Sequence, residues 1–262
     1  MNLQGKIAVV TGGAMGNGKG IVEVLLKYGA SVVILDKAKE LTDTVNELGT
    51  KGYKVLGINV DISNKNAMIQ VADIIKKYYD HIDILVNNAG ICKLETFENM
   101  SDELRDLHFD INIKGPWNVT KVLLPMLRAS GKASIINLSS VTGEMVADSG
   151  EVAYATTKAA LIGFTKALAR EEVDHNIRVN AILPGYIRTP MVDGMAKDTN
   201  QNDPNSVVNG IASAIPMKRL GTPQEIGELA CFLASDSSSY ITGTSIVIDG
   251  GSTLPETVTM GV

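Results

Sequence analysis

Tyr154 and Lys158 stand four positions apart in the segment Ala153-Tyr154-Ala155-Thr156-Thr157-Lys158-Ala159-Ala160. On a helix, residues i and i+4 share a face, so the phenol and the ammonium lie side by side. A tyrosine ordinarily ionises near pH ~10. A fixed cation beside it favours the phenolate and lowers that value, making the phenol an acid/base usable near neutrality. Many helices carry such a pair by chance on a solvated surface. The surrounding chain must therefore build a place where the pair could act.

A second signal is the turn Thr11-Gly12-Gly13-Ala14-Met15-Gly16-Asn17-Gly18. It joins the apolar run Ile7–Thr11 to a helical pattern from about Gly18 to Tyr28. Glycines there allow a tight bend and close backbone approach to a pyrophosphate, and the following helix offers free N–H groups and the positive end of its dipole. Between the first strand and first helix of a βαβ unit, such a turn points to a dinucleotide. Asp36 follows roughly 20 residues on, where a carboxylate can accept hydrogen bonds from the adenosine ribose. It would repel a 2′-phosphate, so the expected cofactor is NAD in preference to NADP, with Lys37 offsetting part of the repulsion. Capping of the next helix is a compatible second role for Asp36.

The elements that must position these residues alternate along the chain. Apolar runs at Ile7–Thr11, Ser31–Asp36, Lys54–Val60, Ile82–Val86, Ala133–Leu138, Ile177–Leu183 and Ser245–Ile248 read as strands covered on both faces. Helical patterns separate them, at Ala38–Leu48, Lys65–Tyr79, Ser101–Arg128, the segment carrying Tyr154, and Pro223–Ala234. Serial βα units imply a parallel sheet with right-handed crossovers. The expected fold is α/β, a single doubly wound domain over residues 1–262, with about seven parallel strands and helices on both faces. The stretch Thr189–Ala214, rich in Asn, Asp and Met, reads as irregular, a substrate loop at about 186–215 or a plain surface loop.

Composition narrows the partners. The net charge is −5 with no Lys/Arg cluster, which disfavours nucleic acid. Cys92 and Cys231 match no CxxC spacing and read as reduced thiols. His81, His108 and His175 are scattered, so no metal site is expected. No secretory h-region follows Met1 and no apolar stretch reaches about 18 residues, so a cytoplasmic protein without a membrane span is expected.

Taken in order, the motifs resemble the short-chain dehydrogenase/reductase family over nearly the whole chain. They are Thr11-Gly12…Gly16-Asn17-Gly18, Asp36, Asp61, Asn87-Asn88-Ala89-Gly90, Asn112, Ser139-Ser140, Tyr154…Lys158, Pro184-Gly185-Tyr186-Ile187-Arg188-Thr189-Pro190 and Ile248-Asp249-Gly250-Gly251. The resemblance implies a Rossmann-type fold and a set of roles. Tyr154 would be the general acid/base. Lys158 would hold the nicotinamide ribose and lower the tyrosine pKa. Ser140 would bind the reacting oxygen, with Ser139 as the alternative. Asn112 would interrupt its helix and hold a water linking Lys158 to solvent; otherwise it is a polar helix residue facing water. Gly12, Asn17 and Gly18 would bind the pyrophosphate side. Asp61 would read the adenine amino group with Ile62 beside it, or would merely cap the next helix. Asn88, Ala89 and Gly90 would line the adenosine side, with Asn88 also bracing the sheet, and Pro184, Ile187 and Thr189 would contact the nicotinamide end. Two features depart from the family pattern. Asn17 replaces a small hydrophobe, and the Ser140–Tyr154 loop, with Glu144, Met145 and Asp148, is one residue longer.

The reaction so implied is reversible hydride transfer between a nicotinamide and a secondary alcohol or ketone. The substrate pocket is expected from Glu144–Glu151, Ile91–Glu95, Tyr186 and the loop after Pro190. Met145, Met191 and Met195 offer adaptable apolar surface suited to a hydroxysteroid or another bulky alicyclic alcohol. A sugar and a 3-oxoacyl thioester are the alternatives. A non-catalytic dinucleotide-binding redox sensor would not need Ser140, Tyr154, Lys158 and Asn112 together, and a methyltransferase leaves Tyr154 and Lys158 unexplained. The resemblance further implies a homotetramer built on the two long helices. The extension after Gly251, ending in Val258, Met260 and Val262, is expected to dock at a subunit interface.

Overall fold

The computed structural model describes residues 1–254. Seven strands, β1 (Ile7–Thr11), β2 (Ser31–Asp36), β3 (Val55–Asn59), β4 (Ile84–Asn87), β5 (Ala133–Leu138), β6 (Ile177–Pro184) and β7 (Ser245–Ile248), form one sheet in the order β3-β2-β1-β4-β5-β6-β7. Every pairing is parallel. The apolar strands alternate between two cores. In β1, Ala8 and Val10 face one core and Val9 the other. Truncating a fully buried Leu or Ile in either core to Ala would cost roughly 2–5 kcal/mol.

Helices α1 (Gly16–Lys27) and α2 (Leu41–Thr50) contribute to the first core, together with α9 (Pro223–Ala234). The second core takes α3 (Lys65–Ile75), α5 (Gly115–Ala129) and part of α6 (Val152–Glu172). β1 pairs with both β2 and β4, so the winding direction reverses between β1 and β4. Strand carboxyl ends diverge at such a point and leave a ligand crevice. Among the described residues, no helix is long and apolar enough to cross a membrane.

Four expectations are corrected. First, α2 starts at Leu41 rather than Ala38, because the Asp36 carboxylate takes the Ala38 N–H at 2.9 Å and holds the intervening turn. Second, α3 ends at Ile75, short of Tyr79. Third, the long pattern Ser101–Arg128 is two helices, α4 (Asp102–Phe109) and α5, joined by a π-helical segment at Asp110–Lys114. Fourth, the stretch expected to be irregular folds into α7 (Pro190–Thr199) and α8 (Pro204–Ala214). Each begins with proline, whose missing N–H costs nothing at a helix start, and the Asp203 carboxylate caps α8 by accepting from Ser206 N at 3.1 Å. Residues 200–203 form the turn between them, while the other Asn and Asp residues of the stretch lie within the helices. Val258, Met260 and Val262 lie outside the described residues.

Candidate active site

The crevice at the carboxyl ends of β1 and β4 has a volume of about 760 Å³. Its pyrophosphate end is the glycine turn. Gly12 has φ +64°, and a Cβ there would come within 2.8 Å of the Ala89 backbone. Gly12, Gly16 and Asn17 line the crevice. Gly18 lies behind the turn, where a Cβ would collide with the Gly12 carbonyl. Asn88 Nδ2 donates to the carbonyls of Thr11 (3.0 Å) and Gly12 (2.9 Å), and Thr11 Oγ1 accepts from the N–H of Asn88 (3.0 Å) and Ala89 (3.1 Å). This web fixes the turn to the end of β4. The Asn17 side-chain oxygen is buried without a protein partner.

At the adenosine end, Asp36 accepts from Ala14 N and Ala38 N, both at 2.9 Å, so its carboxylate is anchored on the crevice wall. Lys37, expected to soften the charge of Asp36, is instead paired with Asp61 at 2.9 Å. Asp61 also accepts from the Ser63 N–H and hydroxyl. Burial pulls the Asp61 pKa up, but Lys37 and Ser63 outweigh it and hold the value below the ordinary one. The cap of α3 is Asn64, which accepts from Ala67 N at 3.1 Å, so Asp61 braces the preceding turn and does not cap the helix. Asp61 and Ile62 both line the crevice.

The other end gathers Tyr154, Lys158, Ser140 and Asn112. Tyr154 and Lys158 share one face of α6, with Lys158 Nζ 5.6 Å from the Tyr154 ring centre. Lys158 is buried and donates to the Leu138 carbonyl at 2.7 Å. Burial drags its pKa from 10.5 to about 8. The phenol departs from expectation: burial raises the Tyr154 pKa, and the hydrogen bond from Ser140 only partly opposes it. Desolvation dominates, and the charges of Cys92 and Glu151 push in the same direction. Ser139 spends its hydroxyl on the Lys158 carbonyl at 2.8 Å. Ser140 accepts from Thr142 N at 3.1 Å and lines the crevice.

Asn112 sits in the π-helical segment and does not line the crevice. Its Oδ1 accepts from Ile91 N at 2.9 Å, and its Nδ2 donates to Ile91 O and Thr157 Oγ1, both at 3.0 Å. Gly90 carries no side chain between the two groups behind it. A Cβ there would lie 3.2 Å from Asn112 Oδ1 and 3.5 Å from Lys158 Nζ. Pro184, Ile187 and Thr189 also line the crevice, as do Gly90 and Ala89, the latter beside the glycine turn.

On the substrate side the walls are Ile91, Cys92, Val141, Val146, Asp148, Glu151, Tyr186, Met191 and Met195, with Ile211, Ala214 and Ile215 from α8 and its C-terminal end. Glu144, Met145 and Lys93–Glu95, expected in this wall, are not part of it. Sequence reasoning missed the Leu138 carbonyl, for a main-chain group leaves no mark on residue type. It also missed Ser252 and Thr253, which line the crevice from beyond β7.

The glycine cradle and the helix end suit a dinucleotide in this crevice. Comparison with known proteins agrees with that geometry. A family model described as enoyl-(acyl carrier protein) reductase matches residues 12–253. The chain is 51% identical over 260 residues to oxidoreductase UcpA of Escherichia coli (strain K12), covering 99% of each. It is 38% identical over 252 residues to 3-oxoacyl-[acyl-carrier-protein] reductase FabG of Thermotoga maritima, covering 96% of this chain and 99% of that one. The crystal structure of L-sorbose reductase from Gluconobacter frateurii, complexed with NADPH and L-sorbose, superposes with a TM-score of 0.93 at 32% identity, covering 97% of this chain and 99% of that one.

Proposed function

Since the chain belongs to the short-chain dehydrogenase/reductase family, we propose that this oxidoreductase interconverts a secondary alcohol and a ketone, with NAD preferred over NADP. The observation that carries the reading is the Tyr154–Lys158 pair, set on one face of α6 and opening on the crevice between β1 and β4. The dinucleotide, when bound, supplies the hydride chemistry. In reduction Tyr154, kept protonated by its raised pKa, gives its proton to the carbonyl oxygen. Oxidation is the reverse step and requires that the phenol first lose its proton, through Lys158 to solvent, before it takes the hydroxyl proton. Ser140 steadies the same substrate oxygen; the hydroxyl of Ser139 is already committed to α6. Lys158, titrating near 8, holds charge at neutrality and is able to pass a proton onward. Asn112 and Lys158 meet behind Gly90, the place for a bridging water.

The anchored Asp36 carboxylate supports NAD, because a 2′-phosphate would meet a fixed negative charge while Lys37 is held by Asp61. The apolar walls support a bulky alicyclic substrate, hydroxysteroids among them. The likeness to FabG supports a second reading, reduction of a 3-oxoacyl thioester. Self-association as a homotetramer is supported by Trp117 on α5, half exposed and 5.4 Å between ring centres from Phe164 on α6.

The test is oxidation of NADH and NADPH across a panel of ketones, by the wild type and Tyr154→Phe. The wild type is expected to turn over ketones faster with NADH. The variant should bind NADH normally and lose ~10²–10⁴-fold in kcat. Near-normal turnover by the variant rejects the role of Tyr154. Binding of NADH by the wild type without turnover of any ketone moves the assignment to a redox sensor.

A further inference from the structure

On the substrate side of the crevice Asp148 and Glu151 form one wall beside Tyr154 and Tyr186, while Ile91, Val141, Val146, Met191 and Met195 supply apolar lining. Glu151 immediately precedes α6 and stands three positions before Tyr154, so about one helical turn separates carboxylate and phenol. Its place is fixed. Oε2 accepts from Asp148 N at 3.2 Å, and the loop is tied to the segment after β4 by Glu95 N donating to Gly150 O at 3.0 Å. Burial, and then the charge of Asp148, make Glu151 harder to ionise than an exposed glutamate. Its charge in turn reaches the other polar groups of this wall. After burial, Glu151 is among the causes that raise the pKa of Cys92, Tyr154 and Tyr186.

Among the described residues, no cation lining the crevice balances this wall. The lysines lining the crevice are Lys37 and Lys158. Lys37 is at the adenosine end, bound to Asp61, and Lys158 is turned to the Leu138 carbonyl. A carboxylate offers about four lone-pair sites; the Asp148 N–H takes one and the Thr142 side chain a second. The carboxylate lines a crevice whose other lining residues include Val146, Met191 and Met195.

We infer that Glu151 sets substrate specificity: it accepts a hydrogen bond from a second hydroxyl near the reacting carbon and turns away substrates bearing a carboxylate or phosphate there. The substrate class is a neutral diol or polyol on a largely apolar frame, or the matching hydroxyketone. This deepens the oxidoreductase reading above and rests on it. A hydrogen bond to a charged group corresponds to roughly ten- to hundredfold in kcat/KM.

The experiment measures kcat/KM with NAD for cyclohexanol, cis-cyclohexane-1,2-diol and 3-hydroxycyclohexanecarboxylate, using the wild type, Glu151→Ala and Glu151→Gln. NADH binding, read by fluorescence, shows that each variant is folded. The wild type is expected to favour the diol over cyclohexanol by about tenfold or more, and to favour the carboxylate least. In Glu151→Ala the diol-to-cyclohexanol ratio should fall toward one, whatever happens to absolute rates, and the carboxylate should gain on both. Glu151→Gln, which keeps an acceptor without the charge, should retain part of the diol preference and admit the carboxylate. A ratio unmoved by Glu151→Ala, or a wild type that prefers the carboxylate, overturns the inference and leaves the alcohol–ketone reading standing. A wild type that binds NADH and oxidises none of the three, and reduces no ketone, removes both.

Discussion

At the scale of the residue, Lys158 shows function set against stability. It carries a cation where water is excluded, and burial brings its pKa from 10.5 to about 8. Between those values the unfolded chain keeps a proton that the folded chain releases. Stability therefore rises as pH climbs through that window, and below about 8 the full cost of the buried charge, about 3 kcal/mol, is present. Lys158→Met is accordingly expected to raise Tm at pH 7, with the gain shrinking as pH approaches 10. Loss of the donor to the Leu138 carbonyl offsets about 1 kcal/mol at every pH. Thermal melts at the two pH values check this, and a gain independent of pH would count against the buried charge. Tyr154 and Lys158 were legible in the sequence because helical spacing pairs them and the motifs that precede and follow in order set the pair apart from a chance surface pair. The direction of the Tyr154 shift was not, because burial depends on how the crevice walls close around the phenol.

At the scale of the element, two segments departed from their sequence patterns for different reasons. The α4–α5 pattern is continuous in periodicity, but the amide of Asn112 joins Ile91 and Thr157 across the interior, and the chain widens to a π-helical segment there. The α7–α8 stretch looked irregular because its polar turn dominates its composition. Its packing comes from a small separate cluster of Val192, Ala196, Val208, Ile215 and Leu220. A helix pair held by its own small core opens at lower free energy than the sheet. Amides of residues 190–214 should therefore exchange faster than those of β1 and β4 in the free protein, and slow when NADH is added, since α7 and α8 both border the crevice. Protection equal to the sheet without ligand would show that this pair does not open independently of the sheet.

At the scale of the whole molecule, the half-exposed Trp117 beside Phe164 argues for association through α5 and α6. Sedimentation should give about four times the 27.9 kDa of one chain, and Trp117→Glu should lower it. A wild type sedimenting as one chain refutes the tetramer. The alternation of apolar runs and helical patterns determined by itself that the strands lie parallel and that the glycine turn opens a dinucleotide crevice, since both follow from local periodicity and chain order. Which groups confront one another inside that crevice was decided only by tertiary structure. Leu138 meets Lys158, Lys37 is taken by Asp61, and Glu151 shares a wall with Asp148 that no cation among the described residues balances, because burial and charge balance are sums over neighbours that come from distant parts of the chain.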